Sequence, residues 1–322
     1  MITAPRMTID LDFSSLPLGL LLLPPLPYLP RLLSLRSPPP FLSPLLLCPG
    51  LYQPHSTAAS LHAGEYPATA AMTTGYVFRI ENPATVAFLQ RVGRTGWLTT
   101  VEVDGRRAGE KGGAVVGNAA YCAAIGVTGG AFAGFVQLGD GWGVVVLGML
   151  VVARTVDMLV LRARSRRGWH GAAEPGKRSD LLVLLSQDRF VRIRGWVDDV
   201  KAVTSGTWLR AMSFVEEALM AVVLLLVYGA IVLSGMISPV GKGIFVGMLV
   251  LETFLVQAGN AMTGDLVIKG KVMRVVGREY YERRGDMAKE LIKETGRRDW
   301  AERLAMVPLE SEDVARDIPP IM

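Results

Sequence analysis

Glu252 stands in the middle of an apolar run, Gly243 to Gly264, with Thr253, Gln257 and Asn260 following it. On a helix at about 100° per residue, Glu252, Thr253, Gln257, Asn260 and Thr263 share an arc of about 140°. Leu251, Phe254, Leu255, Ala258 and Met262 take the opposite side. A carboxylate at mid-bilayer depth costs roughly 2.5–3.5 kcal/mol even on the lenient insertion scale, so such a face must meet protein or water. Two chemistries fit it. One is an ion or proton path, or a polar headgroup site. The other is an interhelical hydrogen-bond cluster in which Glu252 is neutral or paired with Arg154. That arginine and Asp157 lie in the later half of another apolar run, Trp142 to Leu161, at the i, i+3 spacing that lets two side chains pair on one helical face.

Two further patterns belong to a membrane. Arg162, Arg164, Arg166 and Arg167 follow the Trp142–Leu161 run at once. A basic cluster at that place either binds anionic lipid headgroups or fixes topology. Gly126, Gly130 and Gly134 form a double small-xxx-small repeat inside an uncharged run, Gly113 to Leu138, which would let a neighbouring helix approach closely.

Searches for catalysis return nothing. Cys48 and Cys122 are the two cysteines, too few for a disulfide framework, and Cys122 reads as a small side chain packed inside an apolar run. His55, His62 and His170 include no i, i+4 pair of the kind a helical metal site uses. Glycines recur in Gly139-Asp140-Gly141-Trp142-Gly143, but as a turn between apolar runs rather than within a strand–turn–helix unit. There is no Walker A sequence, nucleophile elbow or Ser/His/Asp set. The expectation is a protein that is not an enzyme and carries no cofactor. A net charge of +5 and a pI near 9.3 would suggest nucleic acid in a soluble chain. Here the cations flank apolar runs, so the partner they imply is the lipid bilayer.

The elements that must position these residues are four spans. Half of the 322 residues are hydrophobic and mean hydropathy is +0.34. The apolar residues gather in runs near the ~20 residues that a helix needs to cross a bilayer. The runs are 113–138, 142–161, 218–236 and 243–264. Lys and Arg number 6 from Met72 to the first run, 11 between the second and third, and 12 after the fourth. The two turns within hairpins hold none and one, Lys242. By the positive-inside tendency both termini and the central insert are expected in the cytoplasm.

Outside the spans, period-2 alternation marks strands at Trp97–Val103 and Phe190–Arg194, Leu181–Leu185 looks like a strand joined to the latter by a turn, and a strand-like stretch runs from Val267 to Val276. Short helices are expected at 196–203, 286–295 and 299–306, with Gly296 as a C-cap. Residues 1–71 read as a disordered leader, or as sequence before a true start at Met72. Eleven prolines between Pro17 and Pro54 deny it a clean transmembrane helix.

The insert from Lys177 to Gly195, its continuation Val197 to Gly206, and the tail Ala288–Gly296 with Asp299–Ala301 resemble a group of fungal multi-spanning membrane proteins. The resemblance covers roughly Trp97 to Met306. That group has no assigned activity, so it implies architecture and no catalytic residue.

The expected fold is a mainly α membrane protein, a four-helix transmembrane bundle with a small cytoplasmic β-sheet plus a helical tail. Its expected parts are the leader 1–71, an N-terminal segment 72–112 with one or two strands, hairpin 113–161, insert 162–217, hairpin 218–264 and tail 265–322. The three distant strand regions are expected to pair into one sheet, with Val191 and Ile193 on an apolar face covered by Leu291, Ile292, Trp300 and Leu304 of the tail. Two functions follow. The first is a non-enzymatic scaffold that recruits a protein partner on the cytoplasmic side. The second is a small transporter or channel subunit, a homo-oligomer through the glycine-rich span, using Glu252.

Overall fold

The structure, a computed structural model, describes residues 20–21, 43–49, 52, 62–104, 112–164, 171–205, 210–262, 264–268 and 271–308. Among the described residues four helices are long and apolar enough to cross a membrane: α2 (Gly112–Gln137), α3 (Gly141–Arg164), α5 (Phe214–Leu233) and α6 (Pro239–Ala261). The protein is a multi-pass helical membrane protein. Between 28% and 44% of each span is buried within the protein, which leaves the larger part of every helix for lipid. Leu251 and Phe254 on α6 are exposed, opposite the buried Glu252, as the polar arc requires.

Local chemistry sets the helix ends. Ser213 Oγ accepts from the Glu216 backbone N–H, and the Glu216 carboxylate accepts from the Ser213 N–H at 2.9 Å, a reciprocal capping box that starts α5. At the opposite end of the bundle, Asp140 ties the two hairpin turns together. Its Oδ2 accepts from the Ser238 N–H (2.9 Å) and hydroxyl (2.7 Å), and its Oδ1 from the Gly143 N–H (3.1 Å). These donors outweigh the cost of burial and hold the Asp140 carboxyl below its ordinary range. Gly143 is needed there because a Cβ would run into the Phe135 ring.

All four span ends away from those turns lead into one mixed sheet. Its strands are β1 (Ala68–Ala71), β2 (Val77–Arg79), β3 (Trp97–Asp104), β4 (Arg178–Leu185), β5 (Arg189–Trp196), β6 (Leu266–Ile268) and β7 (Lys271–Tyr280), in the order β2-β1-β4-β5-β3-β7-β6. Only β3 and β5 run parallel; the other pairs are antiparallel. Thr100 opposite Arg192 and Val103 opposite Met273 join the three sequence regions in one ladder. The expected single sheet forms.

Its faces are assigned differently from the expectation. Val191 and Ile193 pack with Val101, Val103, Leu181 and Val183 against α1 (Pro83–Val92) and α4 (Val197–Thr204). The tail helices α7 (Arg284–Thr295) and α8 (Asp299–Arg303) cover the other face, where Leu291, Trp300 and Leu304 meet Leu98, Leu182 and Phe190. The period of a strand is 2, so Phe190 and Val191 cannot share a face. Both faces are apolar because both are covered, a condition that alternating charges at Arg192 and Arg194 disguise.

Three other differences follow from tertiary packing. The segment 72–112 holds a helix, α1, started by Pro83 and capped by Asn82, whose Oδ1 accepts from the Ala84 and Thr85 N–H groups. The stretch 267–276 is a hairpin, β6 to β7, rather than one strand. The leader was expected to be disordered to residue 71, yet Ala68–Ala71 pairs with β4, and Leu46, Leu47, Cys48 and Tyr52 are buried in the bundle. The rest of the leader, apart from the residues named above as described, lies outside the described residues.

Candidate intramembrane polar site

Irregular backbone at membrane depth survives only where protein satisfies its polar groups. The leader meets that condition through two helices. A 3-10 turn, Ser43–Leu45, brings Leu46–Cys48 against α2, α3 and α6. The Leu47 N–H donates to Glu252 Oε2 at 3.0 Å, and the Cys48 thiol lies 3.8 Å from the same oxygen. The Thr128 hydroxyl, on α2, bonds to Glu252 Oε1 and lies 2.6 Å from the Leu45 carbonyl oxygen. Glu252 is 0% exposed. Its two oxygens therefore link three pieces of chain: α6, α2 and the leader.

Glu252 is thirteen residues into α6 from Pro239, and Arg154 is thirteen residues into α3 from Gly141. At 1.5 Å per residue both lie about 20 Å from the turn end of the bundle, near mid-depth. Arg154 is ion-paired with Asp157, with side chains 1% and 3% exposed. The pair is closed off from solvent. Tyr52 of the leader is buried in the same part of the bundle, packed in the cluster that holds Leu47, Leu150 and Ala153. The result is a polar seam made from Glu252, Thr128, Cys48, Tyr52, Arg154 and Asp157.

The other residues singled out in the sequence divide. Thr253 turns its hydroxyl back to the Leu249 carbonyl at 2.7 Å, and Gln257 is half-buried. Asn260 lies on the last turn of α6, and its side chain is outside the description. Gly126 and Gly130 face open space, whereas at Gly134 an added Cβ would lie 3.3 Å from Ile244 of α6. The glycine repeat thus contributes one residue to packing within this chain. Cys122 is exposed on α2 rather than packed.

The basic cluster is split as well. Arg164 is buried, and its Nε donates to the Arg210 carbonyl at 2.9 Å while the Arg210 N–H donates back to the Arg164 carbonyl at 3.2 Å. Arg210 in turn grips Glu216 with both Nη atoms, at 2.8 and 2.5 Å. This clasp joins the end of α3 to the start of α5. Arg162 is exposed, and Arg166 and Arg167 lie outside the described residues.

Sequence reasoning missed Thr128, Leu47, Cys48 and Tyr52. Thr128 was legible as a hydroxyl inside an uncharged span, but nothing local marks its partner 124 residues away. Among the described residues no group of three or more His, Cys, Asp or Glu is placed to hold a metal ion. Comparison with family models, curated proteins and solved structures finds no match.

Proposed function

We propose that the protein is a small transport or channel subunit that passes a proton or small cation along the polar seam. The observation that carries this reading is the double engagement of Glu252. Its oxygens are held by a neighbouring helix and by residues 47–48, which lie outside the four described spans. A carboxyl group held only between helices would be glue. One held partly by a separable segment can exchange the Leu47 N–H and Cys48 thiol for a proton or a hydrated cation when that segment withdraws. Residues 45–48 then act as a plug over the seam, and Arg154 with Asp157 sets the charge along the next stretch. The described chain contributes four spans, so the conducting unit is a homo-oligomer. The net distribution of Lys and Arg supports a cytoplasmic sheet and cytoplasmic termini.

The test is flux into sealed proteoliposomes containing a pH- or cation-sensitive dye, driven by a potassium diffusion potential. Wild type should give flux above lipid alone, and Glu252→Gln, which keeps a hydrogen-bonding side chain of the same shape, should abolish it at unchanged elution volume. Equal flux from the two proteins, or none from wild type, refutes the proposal.

A further inference from the structure

One hydrogen sets the state of the polar seam. The Thr128 hydroxyl lies within hydrogen-bonding distance of two oxygens, Glu252 Oε1 and the Leu45 carbonyl at 2.6 Å. A hydroxyl carries a single hydrogen and can direct it at only one of them. The other close oxygen–oxygen contact needs a hydrogen from the opposite partner. A backbone carbonyl has none to give, whereas a carboxyl group can carry one. The consistent arrangement is a chain: Glu252 Oε1–H donates to Thr128 Oγ1, and the Thr128 hydroxyl donates to the Leu45 carbonyl.

The second oxygen of Glu252 agrees. Oε2 faces two donors, the Leu47 N–H at 3.0 Å and the Cys48 thiol at 3.8 Å, and so behaves as the carbonyl oxygen of the same acid. These partners are neutral, and an ionised carboxylate sealed from water is costly without a cation beside it. The elements packed around the site carry Cys48 and Tyr52 on the leader, Tyr121 on α2 and, on α3, Arg154 ion-paired with Asp157. A metal cation fits this place poorly. It needs oxygens that turn lone pairs toward it, while the Leu47 N–H and the thiol turn hydrogens toward Oε2.

We infer that Glu252 holds a proton on Oε1 and that protons, rather than metal cations, are what the seam carries. The inference rests on the reading of the seam as a conduction path. The proton leaves Oε1 for a water molecule, and the electron pair of the broken O–H bond stays on the carboxylate. The Thr128 hydrogen then turns from Leu45 to Glu252, so the leader loses a bond at residue 45. A proton arriving from the other side restores the acid and sends the Thr128 hydrogen back to Leu45. Proton release and the loosening of residues 45–48 are one event.

The experiment records infrared spectra of the full chain in lipid at neutral pH, where ordinary carboxyl groups are ionised and give no acid carbonyl band. Wild type should show that band, shifted by exchange into deuterium oxide. The band should be lost in Glu252→Gln and should move to higher frequency in Thr128→Val, which takes away its hydrogen-bond acceptor. Labelling glutamate with carbon-13 assigns the band independently of whether Glu252→Gln folds, and circular dichroism checks the fold of each variant. A second arm measures flux into proteoliposomes under a pH gradient, first in sodium and potassium salts and then with both replaced by a large organic cation. Proton flux should be the same in the two media. Absence of the band in folded wild type, or flux carried by sodium or potassium, overturns the inference and leaves the conduction path standing. The band without flux of any ion overturns the conduction path, and the proton as its cargo with it, while the protonated Glu252 stands.

Discussion

Two arginine–carboxylate assemblies, one in the bundle and one on the sheet, use the same chemistry in opposite surroundings. In the bundle Arg154 pairs with Asp157 on a single helix, and both are closed off from water. On the sheet Arg192 is itself buried, but it holds Asp180 from the next strand by two nitrogens (2.8 and 2.5 Å) and Glu294 from α7 by a third (2.6 Å). Glu294 is half exposed. Its hydrogen bond from Arg192 keeps its carboxyl below the usual range despite the cost of partial burial. The sheet assembly joins separate elements and can shed a partner into water. The bundle assembly is closed off from water at both partners and has no such escape. An ion pair is thus a connector where solvent is near and a mutual dependence where it is not.

The largest effect expected from this contrast is in the bundle. Asp157→Ala takes one member from a buried ion pair and should cost about 3–5 kcal/mol, read as a loss of folded fraction in a detergent–SDS titration. A cost below about 1 kcal/mol would mean that the guanidinium reaches water, and the contrast would fail. Next comes Thr128→Val, which keeps the shape of the side chain and removes its hydroxyl from Glu252 and the Leu45 carbonyl. It should cost about 1–3 kcal/mol in the same titration and render residues 45–48 accessible, seen as faster modification of Cys48 by a membrane-permeant thiol reagent.

On the sheet, Arg192→Met should cost about 1–2 kcal/mol, because Asp180 and Glu294 can rehydrate once freed. Thermal unfolding followed at the sheet would show it, and a loss as large as that of Asp157→Ala would abolish the distinction. The smallest effect is at the rim. The Glu174 carboxyl, at the partly exposed rim of the insert, is drawn down to about 2 by hydrogen bonds from Lys201 and Lys177. Its folded value is below the unfolded one, so its contribution is complete above about pH 4.5 and fades as the pH falls toward 2. Carboxyl-carbon NMR of Glu174 should place its titration in that window, and an ordinary midpoint near 4.5 would show the clasp to be absent in solution.

Much of this architecture was legible because it rests on local pattern. The spans follow from the length of apolar runs, and the strands from period-2 alternation at Trp97–Val103 and Phe190–Arg194. Gly296 was legible as a C-cap, and it takes φ +67°, a conformation glycine adopts without strain. The pairing of Arg154 with Asp157 needs only helix geometry. At residues 45–48 the expected disorder gives way for a physical reason: proline denies the stretch a helix, and a helix is the form in which a lone segment satisfies its own backbone in lipid. The sequence of 45–48 cannot show that Glu252 and Thr128, two distant side chains, will supply the missing partners.

The same boundary separates what sequence and tertiary structure each decide about this protein. Composition and periodicity determined four spans, strands in three separated regions, a helical tail and a carboxyl group within an apolar run, since each depends on neighbours within a turn or a strand. Which face of the sheet the tail covers was settled only when α1 and α4 occupied the other. What Glu252 holds and where the glycine repeat makes contact were settled in the same way, by partners more than a hundred residues apart in the chain brought within hydrogen-bonding or van der Waals reach.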